Sequence, residues 1–512
     1  MKKLISLVLV IVMLSGILAG CGQKTSSAYK EDSDEEVTLT IAIPWSEQKD
    51  FEIVEAEINK QLETLLPHTK VELLLDNGMA DKWTLWMSTK KAIDIAHSGY
   101  VTNLEDEIRK ETYLELNDLV EEYAPTLKDL RERFWYSYDN ATISGELYAI
   151  PNVQYYAKNA NVIDLAKDIA DHIDMKALKE EAWASDKTTE KFYEILTAGF
   201  DKAAASGVDM KDCINLTLYN LAKRGYHFIG GADSNLCYDN SDSGKIIDFY
   251  TTDEFVTFCK YMKIWAGSGY VSKDILTGQW SDKTGAGTSY AFGMNEETGI
   301  KEKYQSEGKV SMVLGDPDKE VLVTNIGDQK TYWSIPFTSA HPVRAIRFLD
   351  LLHSEKGSVI ANLLAYGIEG QHYEVLDAKN GNIKAFEYQG QGGANISYGI
   401  PNWLITNMMQ GMYNVAPYTN EFKEYGLNYY DNLKNMKKHI LCGFSFDVSA
   451  VRSELSQLIK NNKEYAESVY SGIVDNSDGI LAELQEKNKA AGQEKIMQEL
   501  QKQADEYIAS LK

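Results

Sequence analysis

Cysteine and histidine are scarce in this chain of 512 residues, which contains five cysteines and eight histidines. The four cysteines after Cys21 lie far apart, at positions 213, 237, 259 and 442, and lack the close spacing of a zinc site. The histidines are scattered as widely, so the sequence predicts no metal site. A chain long enough to build its own core does not need disulfides, and we expect free buried thiols. A bridge between Cys213 and Cys237 stays open as the alternative.

The common motifs of catalysis and cofactor binding are also missing. The sequence has no Gly-x-Ser-x-Gly elbow, no His-Glu-x-x-His, no phosphate loop and no Cys-x-x-Cys. Residues 239–244 begin like a calcium loop, but Tyr250 stands where the twelfth-position glutamate is needed, so a hairpin turn is expected there. We therefore predict no cofactor and no chemical step. A glycoside hydrolase remains the rival class, because it needs only two suitably separated carboxylates among 76 acidic residues.

Positive charge is in deficit, with 52 Lys and Arg against 76 Asp and Glu and a formal net charge of −24. Such an excess of negative charge argues against nucleic acid and against an anionic membrane surface as the binding partner. The length allows two or three domains. A hydrophobic content of 44%, with 11% aromatic residues, is typical of a globular protein with real cores.

Long apolar runs are confined to the N-terminus, where a basic start is followed by the uncharged residues 4–20 and then by Cys21. This pattern predicts a secretory signal at residues 1–20, and no later segment approaches the ~20 apolar residues of a membrane span. The sequence Leu18-Ala-Gly-Cys21 resembles a bacterial lipobox, which implies that Cys21 is acylated and anchors the protein to the outer face of the cell membrane. An ordinary signal with a chance cysteine is the alternative. The Ser-, Thr- and acid-rich residues 21–36 predict a flexible tether.

Strand and helix patterns alternate after the tether. Val37–Ile43 alternates in polarity and predicts the first strand, the four apolar residues from Phe51 to Leu62 share one helix face, and 71–75 and 93–96 predict further strands. This rhythm predicts a parallel α/β sheet, in which ligands lie beyond the carboxyl ends of the strands. Trp45 and Tyr100 occupy such strand-end positions.

The order of several segments resembles the extracellular solute-binding proteins of sugar-importing ABC systems, in the large lipoprotein branch with an extra helical C-terminal region. The segments that carry the likeness are Asp94–Ala96, Leu116–Leu119, Glu122–Pro125, Leu147–Asn152, Thr338–Pro342, Tyr366–Tyr373 and Gly443–Asp447. Residues 278–287 depart from the family's plainer pattern near the second return crossing.

This resemblance implies an α/β, two-lobed clamp like the type II periplasmic binding proteins. Lobe one would contain 37–147 and 283–333, lobe two 151–282 and 336–446, and residues 447–512 would form a helical C-terminal region. The implied function is that of a monomeric extracellular protein that captures a small solute, above all an oligosaccharide, and delivers it to the permease subunits of an ABC importer. A peptide binder on the same fold is the alternative.

Aromatic side chains are the candidate sugar contacts, because their rings pack against the C–H faces of sugars. The sequence has 31 Tyr and 9 Trp against 15 Phe, which favours amphipathic rings over purely apolar ones. The predicted ligand-binding residues are Trp45, Tyr100, Tyr155, Trp280 and Trp403. We expect Trp45 and Trp403 to face each other from opposite lobes. Trp265, on an apolar helix stripe, is predicted to be a core residue, and Asp94 and Glu369 are weaker polar candidates.

Overall fold

The computed structural model describes residues 35–143, 145–154, 159–222, 225–230, 233–277, 285–292, 308–315, 321–322, 331–387, 396–409, 411–415 and 420–511. The predicted signal, the tether up to residue 34 and the residues Cys21, Tyr155 and Trp280 lie outside these ranges.

Nineteen strands are found in the described ranges, many of them only two or three residues long. They are β1 (Val37–Ile43), β2 (Thr69–Leu75), β3 (Ile95–Ser98), β4 (Thr142–Ile143), β5 (Glu146–Leu147), β6 (Ile150–Pro151), β7 (Asn159–Ala166), β8 (Ile214–Asn215), β9 (Tyr226–Phe228), β10 (Leu236–Asp239), β11 (Ile247–Asp248), β12 (Ala286–Phe292), β13 (Lys309–Val313), β14 (Val321–Leu322), β15 (Tyr332–Ser334), β16 (Tyr373–Asp377), β17 (Asn382–Ala385), β18 (Asn414–Val415) and β19 (Lys437–Lys438).

The α-helices of the described ranges alternate with these strands and dominate the C-terminal end. They are α1 (Phe51–Leu65), α2 (Met79–Ser88), α3 (Leu104–Arg109), α4 (Asn117–Tyr123), α5 (Pro125–Arg133), α6 (Trp135–Asn140), α7 (Lys167–Ala170), α8 (Met175–Ala184), α9 (Glu190–Ala205), α10 (Leu218–Ala222), α11 (Asp253–Gly267), α12 (Pro342–Leu352), α13 (Ser358–Tyr366), α14 (Asn420–Asn432), α15 (Arg452–Tyr470), α16 (Ser477–Ala490) and α17 (Gln493–Ser510). Within the described chain, no helix is both long enough and apolar enough to span a membrane.

The first sheet has the strand order β2-β1-β3-β15-β6. β1 is parallel to both β2 and β3, as the sequence pattern predicts, and Val37 lies opposite Thr69. β15 joins this sheet antiparallel to β3 and β6. Helix α1 buries Val54, Ile58 and Leu62 against the sheet, which confirms the predicted helix face. The carboxyl ends of β1 and β3 therefore meet at one edge, as expected.

A second sheet has the order β13-β7-β12-β8, with β7 antiparallel to β12 and β13. Its core is separate from the first and contains aromatic side chains of α9 and α11, including Phe200 and Trp265. Trp265 is fully buried and confirms the predicted core role. Helix α11 begins as expected, because the Thr252 side chain accepts a hydrogen bond from the Phe255 backbone N–H and caps it.

The two cores divide the chain differently from the predicted lobes. β12 and β13, which we expected in lobe one, lie in the second sheet, and of the predicted segment 283–333 only the start of β15 joins the first. Helices α12 and α13, expected in lobe two, pack into the first core through Ile346, Phe348 and Leu364. From here lobe one means the unit around the first core, with nearly all its buried residues in 37–153 and 332–433, and lobe two the unit around the second core, chiefly 163–314.

The C-terminal helices α15, α16 and α17 pack against lobe two. A third core joins Leu458 and Leu500 from these helices to Leu236 and Tyr238 of β10. Val469 and Leu484 enter the second core itself. Asp447, which the sequence suggests as the cap of the first of these helices, instead accepts a hydrogen bond from the Ser449 backbone N–H, and the helix begins at Arg452.

A chain of buried amide groups runs through this C-terminal contact. Asn461 Nδ2 donates to Asn488 Oδ1 at 3.1 Å, and Asn488 Nδ2 donates to Asn462 Oδ1 at 2.8 Å. Asn462 Nδ2 then donates to Asn235 Oδ1 at 3.1 Å, and Asn235 Nδ2 donates to Asp248 Oδ1 at 2.7 Å. All four asparagines are buried, and each uses both its amide oxygen and its amide nitrogen. We call these four residues and Asp248 the asparagine network.

Two predicted hairpins are confirmed by their strand pairs. β4 and β5 pair antiparallel around Gly145, and β10 and β11 pair antiparallel around Gly244. Both glycines have positive φ, at 89° and 62°, a conformation that glycine adopts without a steric penalty. Cys213, Cys237, Cys259 and Cys442 are free thiols, the first two of them buried.

Candidate ligand-binding site

The loop that follows β1 is tied to residues 397–403 by hydrogen bonds to one glycine. Trp45 Nε1 donates to the Gly399 carbonyl oxygen at 2.9 Å, and Gln48 Nε2 donates to the same oxygen at 2.7 Å. The Gly399 N–H donates back to Gln48 Oε1 at 2.9 Å. Because Gln48 is buried, this two-way pairing fixes the loop after β1 against the 397–403 segment.

A second tie holds the start of helix α1 to the same segment. The Asp50 backbone N–H donates to the Ser397 carbonyl oxygen at 3.0 Å, and a His372 ring nitrogen lies 3.3 Å from Asp50 Oδ2. Slight burial acts to raise the pKa of Asp50, but the hydrogen bonds from Gln371 and His372 outweigh it and lower that pKa. The carboxylate thus stays charged and bonded at neutral pH.

Trp403 lies in this fixed segment and meets Tyr100, which follows β3. The two ring centroids are 5.0 Å apart and the rings are inclined at 76°, an edge-to-face contact. Gln154 Nε2 supports the pair from below, donating to the Trp403 carbonyl oxygen at 3.1 Å and to Thr331 Oγ1 at 2.9 Å. Tyr100 is 56% exposed, whereas Trp403 is half-buried. The pair therefore offers an accessible aromatic surface at the carboxyl edge of the first sheet.

His97 lies beneath this aromatic pair at the end of β3. Its ring is edge-to-face with Tyr100, at 6.4 Å, and with Trp333, at 5.4 Å. His97 is fully buried, and neither ring nitrogen has a hydrogen-bond partner. Burial lowers the pKa of His97 to about 3, so the ring is neutral at physiological pH. The Trp333 N–H is already used, because it donates to the Ile405 carbonyl oxygen at 2.6 Å.

The structure brings three of the five predicted ligand-binding residues to one edge of lobe one. Tyr100 and Trp403 touch, and Trp45 reaches the same segment through Gly399. The expectation that Trp45 and Trp403 lie on opposite lobes is wrong, since both pack against the first core. The physical reason is that residues 396–409 run alongside the first sheet, where Trp333 and Asn152 donate to their backbone.

The weaker polar candidates have other roles. Asp94 accepts hydrogen bonds from the Thr40 backbone N–H at 3.0 Å and from Ser339 Oγ at 2.8 Å, so it holds strands of lobe one together. Glu369 is exposed on the loop after α13. Tyr155 and Trp280 lie outside the described residues. In the ranges that the structure describes, no three His, Cys, Asp or Glu side chains are grouped in a way that could hold a metal ion.

Sequence reasoning missed His97, Trp333 and Gln48. The available signal for His97 was an ionisable residue inside a short apolar strand, followed by Gly99, whose φ of 84° turns the chain. Nothing in the sequence places Trp333 beside it, because β3 and β15 are separated by more than two hundred residues. Gln48 gave no signal, since its partner is a backbone group.

Comparison with known proteins gives a match to one family model and to curated relatives over most of the chain. Residues 440–509 match the model described as a domain of unknown function, DUF3502. The chain is 23% identical over 525 residues to a carbohydrate ABC transporter substrate-binding protein of Streptococcus pneumoniae serotype 4, covering 98% of this chain and 97% of the relative. It is 20% identical over 444 residues to lipoprotein LipO of Bacillus subtilis, covering 78% of this chain and 80% of that protein.

Solved structures show the same fold over nearly the whole chain. The N-glycan transport solute-binding protein NgtS of Streptococcus pneumoniae aligns with a TM-score of 0.68 at 19% identity, covering 93% of this chain and 100% of that one. A solute-binding protein of Bifidobacterium longum infantis, described as binding human-milk oligosaccharides, aligns with a TM-score of 0.59 at 15% identity, with 93% and 100% covered. The chain therefore has the two-lobed α/β fold of the ABC-importer solute-binding proteins, and the predicted resemblance is confirmed.

Proposed function

We propose that this protein captures an oligosaccharide outside the cell and delivers it to the permease of an ABC importer. The observation that carries the proposal is the exposed ring of Tyr100, held edge-to-face against Trp403 at the carboxyl edge of the lobe-one sheet. In open α/β sheets this edge is where ligands bind. An exposed aromatic ring that is packed and not free to rotate can bind the C–H face of a sugar with little loss of entropy.

The relatives support a sugar as the solute. The Streptococcus protein is named for carbohydrate, and the two solved structures are named for N-glycan transport and for human-milk oligosaccharides. These names also favour a binding protein without a chemical step. The ties from Gln48 and Asp50 to the 397–403 segment fit that role, because they set the aromatic surface in place before any ligand arrives.

The cellular setting is part of the same proposal. Cys21 follows a signal-like segment and a lipobox-like sequence, and one relative is named a lipoprotein. We infer that Cys21 is acylated, that the protein is held on the outer face of the cell membrane, and that it acts as a monomer. Its partners would be the permease subunits of the importer, to which a closed, loaded clamp is presented.

Thermal unfolding of the purified full chain tests the proposal. A ligand that binds only the folded form stabilises it by RT ln(1 + [L]/Kd), which is about 2.7 kcal/mol at a hundredfold excess over Kd. We expect a rise in Tm with one or more oligosaccharides, none with peptides, and recovery of the glycan unchanged in mass. A rise with peptides alone would contradict the sugar assignment, and shortened glycans would make the protein a hydrolase.

Two alanine variants make the test specific to the aromatic surface. Trp403→Ala should reduce the glycan-dependent rise in Tm, because it removes the ring that holds Tyr100. Phe337→Ala is the matched control, since Phe337 is 42% exposed but follows β15 at the opposite, amino edge of β3. Equal losses in both variants would argue against a site at the carboxyl edge.

A further inference from the structure

His97 is a buried polar group with no partner, which is rare in folded proteins. Native structures satisfy nearly all buried polar atoms, and an unsatisfied one carries a real cost in stability. His97 leaves two such atoms, Nδ1 and Nε2, in a fully buried position. A residue that served packing alone would be replaced at no cost by an apolar one of similar shape. The two free nitrogens therefore point to a partner that arrives from outside the chain.

The rings around His97 indicate where that partner would come from. Trp333 closes one side, and its own N–H is occupied by the Ile405 carbonyl oxygen. Tyr100 covers another side, and it is more than half exposed. Tyr100 follows Gly99, whose positive φ places it in a bend beyond the strand. A small rotation of Tyr100 would thus open His97 to the surface on which we place the glycan.

The chemistry of the ring fits a sugar hydroxyl. A neutral imidazole has one N–H donor and one nitrogen acceptor, and a hydroxyl group both donates and accepts. A carboxylate or an ammonium group on a ligand would be matched on one side only. The ring is neutral at physiological pH, because burial lowers the pKa of His97 to about 3.

We propose that His97 is a ligand-binding residue that hydrogen-bonds a hydroxyl of the bound oligosaccharide once Tyr100 turns aside. Tyr100 then has two functions, as an aromatic contact for the sugar and as the cover of a polar contact beneath it. This inference rests on the proposed function, and it names the polar part of the same site. Discrimination follows from it, because a glycan that lacks the hydroxyl leaves His97 unsatisfied in the complex.

His97→Phe separates a ligand contact from a packing role. Phenylalanine keeps a flat ring between Tyr100 and Trp333 and removes both nitrogens. We expect the variant to fold and to bind the best wild-type glycan, chosen from a neutral panel that includes Man5GlcNAc, about 5- to 100-fold more weakly. His172→Phe, at a half-buried histidine of lobe two, is the control and should leave the affinity unchanged.

A structure of the wild-type protein with that glycan is the second readout, and it does not depend on the variant folding. We expect a ring nitrogen of His97 at about 2.7–3.2 Å from a glycan hydroxyl. Unchanged affinity in His97→Phe, or a ring nitrogen bonded only to buried water in the complex, would overturn the inference and leave the proposed function intact. A wild-type protein that binds no glycan would overturn both.

Discussion

The asparagine network and His97 are both polar groups buried in the protein, yet they differ in how many hydrogen bonds they make. Each asparagine of the network bonds through both its oxygen and its nitrogen, whereas His97 bonds through neither nitrogen. The network joins α15 and α16 to lobe two. His97 lies beside an exposed aromatic surface that joins nothing within the chain.

This difference separates structure from function. A fully bonded network is rigid, and its geometry allows only one packing of the C-terminal helices. It explains how the segment that matches a family model of unknown function is held as an extension of lobe two. An unsatisfied ring costs stability in the isolated protein, and the cost is recovered only when a partner binds. Buried polar groups at binding sites are expected to be incomplete in this way.

The largest expected effect comes from breaking the asparagine network. Asn488→Leu removes the central member and leaves Asn461 Nδ2 and Asn462 Oδ1 buried without these partners. The free energy of unfolding should fall by about 2–4 kcal/mol, as measured by urea denaturation. Gln485→Leu, at a half-buried amide of the same helix that does not belong to the network, is the control and should change stability little. Equal stability of the two variants would mean that the network does not hold the helices.

A smaller effect is expected from acid. The pKa of folded His97 is lowered to about 3, while the unfolded chain has the ordinary value near 6.5, so the unfolded state binds more protons between these limits. The stability due to the neutral ring is therefore present above about pH 6.5 and is lost as the pH falls, at about 1.4 kcal/mol per pH unit.

His97→Phe should flatten this pH dependence without removing it. His227 and His353 are also buried with pKa values lowered to about 4, and they keep contributing in the variant. Urea denaturation at about pH 7, 6 and 5 measures the slopes of both proteins within the window set by the two pKa values. Wild-type and variant curves that run parallel would show that His97 is not held neutral by the fold.

The smallest effect in free energy is expected at Tyr100. Tyr100→Ala removes an exposed ring whose packing partner is Trp403, so the stability of the free protein should change by less than about 1 kcal/mol. Glycan affinity should fall about tenfold, because a face-on contact with the sugar is lost. Isothermal titration checks both the affinity and the stoichiometry. An unchanged affinity would place the glycan away from this edge.

The sequence predicts local structure in this protein better than it predicts which elements are neighbours. β1, α1 and the Thr252 cap are set by residues within a few positions of one another, and all three were predicted. β12 and α12 were assigned to the wrong lobes, because a strand or helix pattern shows which face is buried but not against what. That choice depends on pairings such as Ala286 with Leu165, far apart in the chain.

The candidate site shows the same limit. Tyr100 and Trp403 were predicted because strand ends and loops are where aromatic residues meet ligands. His97 was missed, since its unsatisfied nitrogens exist only once Trp333 and Tyr100 are folded around it. The error of placing Trp45 and Trp403 on opposite lobes arose because residues 396–409 turn back to the first sheet.

The most direct test of the account compares His97→Phe with Asn488→Leu by titrating the same glycan into both at a temperature where both are folded. The account predicts that His97→Phe loses affinity and keeps its stability at neutral pH, whereas Asn488→Leu loses stability and keeps wild-type affinity. The contrast between a satisfied and an unsatisfied buried group would then be a contrast between structure and binding. If the two variants lose affinity equally, or if neither does, that claim is wrong.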